Sequence, residues 1–216
     1  MLCQVFLALV ALFALAGTAQ ANVTPPGTNG KIAFASNRDN LSIDCSTVNG
    51  AVQDGSCKYE IYSMNPDGSG LTRLTNNTWK DDKPSWSPDG KQIAFESRRN
   101  CAAAAQDPTS NADGNCFSNI FVMDADGQNL RQLTFDTDSA THPTWSPDGT
   151  KIAFERGDPN AGPYGLGIPD RIYTVPAAGG TETLVDTLGP SNSCSPDNDV
   201  LPAWSPDGTE IGFTRV

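Results

Sequence analysis

One 12-residue block occurs three times in this chain, and that repetition limits the fold more than any other feature. Pro84–Phe95 reads PSWSPDGKQIAF, residues 143–154 read PTWSPDGTKIAF, and residues 202–213 read PAWSPDGTEIGF. Trp86, Trp145 and Trp204 are therefore 59 residues apart, twice over. A partial copy, Gly30-Lys31-Ile32-Ala33-Phe34, precedes them. A second motif, Ile61-Tyr62-Ser63-Met64 followed by Asp67-Gly68, returns at residues 120–127 and, degenerate, at Ile172–Val175. A third, Leu71-Thr72-Arg73-Leu74-Thr75, returns at residues 130–134 and weakly at 181–185. A fixed period of this length marks a repeat architecture.

Each unit thus has four short apolar runs: A (Pro-x-Trp), B (Lys-x-Ile-Ala-Phe), C (Ile-Tyr-x-Met) and D (Leu-x-x-Leu-Thr). They are rich in β-branched and aromatic residues, which is strand chemistry. Asp89-Gly90, Asp148-Gly149 and Asp207-Gly208, each behind Ser-Pro, mark tight A–B turns. Composition agrees. Twenty Asp against five Glu, with 16 Asn, 20 Gly and 16 Pro, serve turns and oppose helix interiors. The expectation is an all-β chain, a β-propeller of four-stranded antiparallel blades. Thirteen strands make about three and a half blades, an incomplete or truncated propeller. The repeats divide as 30–83, 84–142, 143–201 and a partial 202–216, after an N-terminal segment 22–29.

The Trp-Ser-Pro-Asp-Gly-x-x-Ile-Ala-Phe block, with Ile-Tyr-x-Met and Leu-Thr, resembles the TolB-type, WD-like β-propeller repeat. The resemblance covers nearly all of residues 30–216. It implies a non-catalytic scaffold that binds a protein or peptide, since TolB engages protein partners of the periplasmic Tol–Pal system. The α/β domain that TolB carries before its propeller is not recognisable here. The same repeat resembles propellers of prolyl-oligopeptidase-like enzymes, so the alternative is the propeller portion of such an enzyme, or of a polysaccharide-acting one, without its catalytic part.

Residues 1–21 read as a secretory signal peptide. Val5–Ala16 is an apolar run too short for a membrane span, and Ala19-Gln20-Ala21 is a small-x-small cleavage signal. The n-region lacks Lys and Arg, which leaves an uncleaved anchor as the competing reading. The expected product is periplasmic or secreted, with no membrane span after cleavage. A net charge of −11 argues against nucleic acid as a partner.

Alternating strand direction puts the A–B and C–D turns on one face and the long B–C and D–A loops on the other. Long loops on a rigid scaffold carry function, so the B–C/D–A face is the expected binding face. Candidate residues there are Asp81, Asp82, Asp138, Asp197 and Asp199 in D–A loops, His142 before Pro143, and Arg98 and Arg156 after strand B. The acidic residues form a potential rim for a cation or a basic partner, with ordinary loop solvation as the plain alternative. His142 is the single His, and Lys83 and Leu201 occupy its place in the other repeats. Trp86, Trp145 and Trp204 are read as packing between blades. Asp89, Asp148 and Asp207 are read as turn residues.

Cys45 and Cys57 share the first B–C loop, and Cys101 and Cys116 the second. Intraloop disulfides Cys45–Cys57 and Cys101–Cys116 are expected, each worth about 3 kcal/mol by chain entropy. Other pairings are open, and Cys194 has no evident mate. No cofactor or metal site is expected. Asp124 and Asp126 approach a Ca²⁺-loop pattern without its full ligand set. No Gly-x-Ser-x-Gly elbow occurs. An oligomer that completes the ring between chains is one consequence of an open propeller.

Overall fold

The computed structural model describes residues 30–39, 59–77, 79–99, 117–135, 139–157, 170–185 and 199–215. These form thirteen strands. The first sheet is β1 (Ile32–Ser36), β2 (Glu60–Met64) and β3 (Thr72–Arg73). The second is β4 (Asp81–Trp86), β5 (Gln92–Ser97), β6 (Asn119–Asp124) and β7 (Arg131–Gln132). The third is β8 (Ala140–Trp145), β9 (Lys151–Gly157), β10 (Asp170–Pro176) and β11 (Thr183–Leu184). The last pairs β12 (Asp199–Trp204) with β13 (Ile211–Arg215). Strands neighbour in sequence order and every pairing is antiparallel. The protein is therefore an open all-β propeller with the expected B-C-D, A-B-C-D, A-B-C-D, A-B order.

The A–B turn explains the Ser-Pro-Asp-Gly motif atom by atom. Asp89 Oδ1 accepts from Ser87 Oγ at 2.7 Å and from Lys91 N at 3.1 Å, while Ser87 Oγ accepts from Gln92 N at 2.9 Å. Asp148 and Asp207 do the same with Ser146 and Ser205, both at 2.6 Å. Gly90, Gly149 and Gly208 sit at φ +70°, +71° and +72°, where a side chain is disfavoured. Donation from the serine hydroxyl, then from the backbone, holds these carboxyls below the usual range, that of Asp207 at about 2. The Leu-Thr motif has an equally local use. Thr75 Oγ1 and Thr134 Oγ1 each accept from strand C, at Ile61 N and Ile120 N, both at 2.9 Å.

Middle strands are buried on both faces, so they read as continuous apolar runs rather than alternating ones. In β5, Ile93 and Phe95 pack toward the first sheet with Ile61, Phe121 and Met123. Ala94 packs the opposite way, with Ile120, Val122, Trp145, Ile152 and Phe154. The tryptophans bridge the blades as expected. Trp145 Nε1 donates to Ser85 O at 3.1 Å and Trp204 Nε1 to Thr144 O at 3.2 Å, each to the preceding inner strand.

One boundary differs from the sequence reading. The inner strands begin three residues before the Pro-x-Trp motif, so Asp81, Asp82 and Asp199 are strand residues, not D–A loop residues. The four cysteines expected to pair, Cys45, Cys57, Cys101 and Cys116, and also Cys194, Asp138, Asp197 and residues 1–21, lie outside the described residues. Among the described residues no helix is long and apolar enough to cross a membrane.

Candidate functional site

The inner strands β4, β8 and β12 carry the same irregularity. A bulge separates Asp82 from Ser85, Thr141 from Thr144 and Val200 from Ala203. At its centre Lys83, His142 and Leu201 adopt φ +52°, +51° and +57°, each directly before a proline. Left-handed backbone in a non-glycine residue costs on the order of 1–3 kcal/mol and persists only where surroundings enforce it.

The enforcement is a carboxylate on each bulge N–H. Glu96 Oε2 in β5 accepts from His142 N of the next blade at 3.3 Å. Glu155 Oε1 in β9 accepts from Leu201 N of the next blade in turn. In β1 the matching position is Ala35, so the first joint lacks this carboxylate. Lys83 N turns instead to Asp82 Oδ1 at 2.8 Å. The Glu that follows Ile-Ala-Phe thus ties one blade to the bulge of its neighbour. The sequence reading did not single out Glu96 and Glu155. Their shared place after Ile-Ala-Phe in two repeats was the available signal.

His142 is the centre of a charged cluster. Its Nδ1 lies 3.0 Å from Glu155 Oε2, which also accepts from Thr141 Oγ1 at 3.2 Å. The Glu155 bond raises the imidazole pKa above its ordinary value, against the opposing effect of burial. Burial opposes ionisation of Glu155 too, but donation from His142, Leu201 and Thr141 outweighs it and the carboxyl is lowered. Burial pushes Glu96 up, and burial with the Glu155 charge pushes Asp170 up. Lys83, His142 and Leu201, with Pro84, Pro143, Thr144 and Pro202, line a cavity of about 270 Å³ on the inner side of the blades.

The other candidates are structural ties. Asp81 is fully buried and takes Arg99 Nη2 at 2.7 Å, with Ser97 Oγ and Asn77 Nδ2 on the same carboxylate. Asp199 is 1% exposed and holds Arg215 at 2.7 Å. Neither contributes to an exposed acidic rim, because each carboxylate is neutralised inside its own blade. Asp82 stays half-buried beside Lys80 Nζ at 3.4 Å. Arg98 Nε donates to Ser118 Oγ at 3.4 Å. Arg156 is 2% exposed and pairs with Glu182.

These arginines share one geometry. Arg38, Arg99 and Arg156 each lie over a stacked aromatic pair joining strands B and C: Phe34–Tyr62, Phe95–Phe121 and Phe154–Tyr173. Arg215 lies over Phe213. Among the described residues no group of three His, Cys, Asp or Glu is arranged to hold a metal ion.

No family model matches the chain. It is 29% identical over 158 residues to an uncharacterised protein of Agrobacterium fabrum, covering 73% of this chain and 47% of that one. It is 32% identical over 89 residues to the Tol-Pal system protein TolB of Geobacter sulfurreducens, covering 41% of this chain and 17% of TolB. The TolB match, the triple Trp-Ser-Pro-Asp-Gly repeat and the open blade stack agree. The chain is built from repeats similar to those of TolB-type β-propellers. Its fold is shared with oligogalacturonate lyase of Vibrio parahaemolyticus, at a TM-score of 0.51 and 14% identity over 73% of this chain and 41% of the lyase. Propellers of this shape therefore occur in enzymes as well as in TolB. The chain spans less than half the length of the curated relatives it matches.

Proposed function

We propose that the chain is an exported, non-catalytic propeller scaffold, located in the periplasm or secreted, that binds a protein or peptide on the face of its B–C and D–A loops and inner cavity. The observation that carries this reading is the row Lys83, His142 and Leu201. The backbone at these three positions is held in one conformation while the side chains differ in charge and size. A rigid frame presenting variable side chains at a cavity suits recognition. Kinship with TolB supports a protein as the partner.

The test has two parts. Mass spectrometry of the exported product should find an N-terminus at Asn22. Alanine scanning against a purified, crosslinked partner should weaken binding at Lys83 and His142 and spare the turn residues Lys91, Thr150 and Thr209. Loss of binding from turn-face variants alone would overturn the assignment of the face.

A further inference from the structure

The inner cavity has a chemistry of its own. Three walls are proline rings, Pro84, Pro143 and Pro202, and Leu201 adds an aliphatic side chain that is 55% exposed. Two cationic residues, Lys83 and His142, line the same space. Lys83 is exposed, and its ammonium has no ion-pair partner among the described residues. His142 gives Nδ1 to Glu155, which fixes the ring and leaves Nε2 without a partner among the described residues. An imidazole held through one nitrogen by a carboxylate presents the other in a set direction.

We propose that this cavity is a binding site for a carboxylate carried on an apolar stem, with the anion taken by Lys83 Nζ and His142 Nε2 and the stem laid against Leu201 and the three prolines. The inference deepens the binding-scaffold reading by naming the ligand chemistry, and it rests on that reading for its biological role.

Acidic groups around the site must be counted against it. Asp82 belongs to β4 and lies beside Lys80. Glu96 of β5 accepts from His142 N, and Glu155 of β9 is committed to His142, Thr141 and Leu201. Asp170 of β10 stands behind Glu155. Burial raises the pKa of Glu96, and burial with the Glu155 charge raises that of Asp170. Among the described residues no carboxylate pairs with the Lys83 ammonium, in a protein of net charge −11. The volume, about 270 Å³, falls just below the usual range of ligand pockets. It suits a terminal group or a short acid, not a folded surface.

Two sources carry this chemistry: a free short-chain acid and the C-terminus of a peptide. Isothermal titration of the full chain at pH 6 and pH 8 separates them. The probes are hexanoate, hexanamide, the peptide acetyl-Ala-Ala-Ala-Leu with a free carboxylate, and its C-terminal amide. At least one acid should bind saturably, about tenfold or more tighter than its amide, because a charge-assisted pair is lost in the amide. Binding by the peptide acid assigns a C-terminus, and binding by hexanoate alone assigns a free acid.

Affinity should fall from pH 6 to pH 8 as His142 loses its proton. Lys83→Met should weaken the acid about tenfold and leave the amide unchanged. His142→Asn, a residue that tolerates left-handed backbone, should flatten the pH dependence. Equal binding of acid and amide, or no saturable binding by either acid, overturns the proposal. If His142→Asn fails to fold, Lys83→Met and the wild-type pH titration decide. Failure here alongside a partner scan that still maps to Lys83 and His142 would sink the carboxylate site and spare the binding-scaffold reading.

Discussion

A single indole nitrogen sets the spacing between blades. Trp145 and Trp204 each donate to a carbonyl 60 residues earlier, so the repeat length and the blade joint are one fact. Trp145→Phe keeps the packing surface but leaves Ser85 O without its donor. It should cost about 1–2 kcal/mol, read as a lower urea midpoint at unchanged slope. Trp86 offers the control, since its Nε1 is buried with no hydrogen-bond partner among the described residues. Trp86→Phe should cost less. The tryptophan spacing was legible in the sequence and the hydrogen bond was not, because the acceptor is a backbone atom with no side-chain signature. His142 adds a pH effect. Its folded pKa is raised by Glu155, so the stability it contributes is full below about 6.5 and is lost as pH rises through the folded value. Unfolding of the wild type against His142→Asn should show the gap narrowing above that point. Glu155, lowered in the folded state, acts at the other end: its contribution is lost as pH falls below the ordinary carboxylate range.

At the scale of elements, turns and middle strands were readable because their signals are local. Asp-Gly pairs have one strong meaning, and Ile-Ala-Phe is too apolar for a loop. The starts of the inner strands were not readable. Lys80-Asp81-Asp82 looks like a solvated loop until the fold brings Ser97, Arg99 and Asn77 onto the Asp81 carboxylate. Partners 16 and 18 residues along the chain leave no mark near the strand itself. The bulges were hidden for a similar reason: a residue before proline is ordinarily extended, and the left-handed turn at His142 and Leu201 depends on carboxylates placed by tertiary structure, while Lys83 uses its neighbour Asp82. Two glycines separate the costs of turn geometry and of blade contact. Gly90, at φ +70°, has open space where a Cβ would stand. Gly127, at φ +87°, would place its Cβ 2.6 Å from Leu74 O of the neighbouring blade. Gly90→Ala should cost about 1 kcal/mol from backbone conformation alone. Gly127→Ala should cost clearly more, because a carbonyl in a packed joint cannot move aside. Paired thermal melts check the order.

For the molecule as a whole, the last sheet shows what an open propeller leaves uncovered. In β5 and β9 the Ile-Ala-Phe core is fully buried, at Ile93, Ala94 and Phe95 and at Ile152, Ala153 and Phe154. In β13 the equivalent Ile211, Gly212 and Phe213 follow the same pattern, yet Phe213 is 36% exposed and the strand is mostly open. Among the described residues the first sheet likewise has no inner strand beside β1, and Ile32 is 42% exposed. Each internal joint is built from one blade's trailing face on the next blade's leading face, so the two free faces complement each other by repetition of the same parts. That arrangement is heterologous, and such contacts either close into a ring or run on. A second copy of the chain would present both faces at once. Sedimentation of residues 22–216 should therefore give a mass above one chain. Gly212→Lys, at the position whose equivalent Ala94 packs on the following blade, puts a charge in the trailing face and should return it to a monomer without changing the strand signal in circular dichroism. A wild-type chain that sediments as a monomer at all concentrations would show that the free faces do not meet.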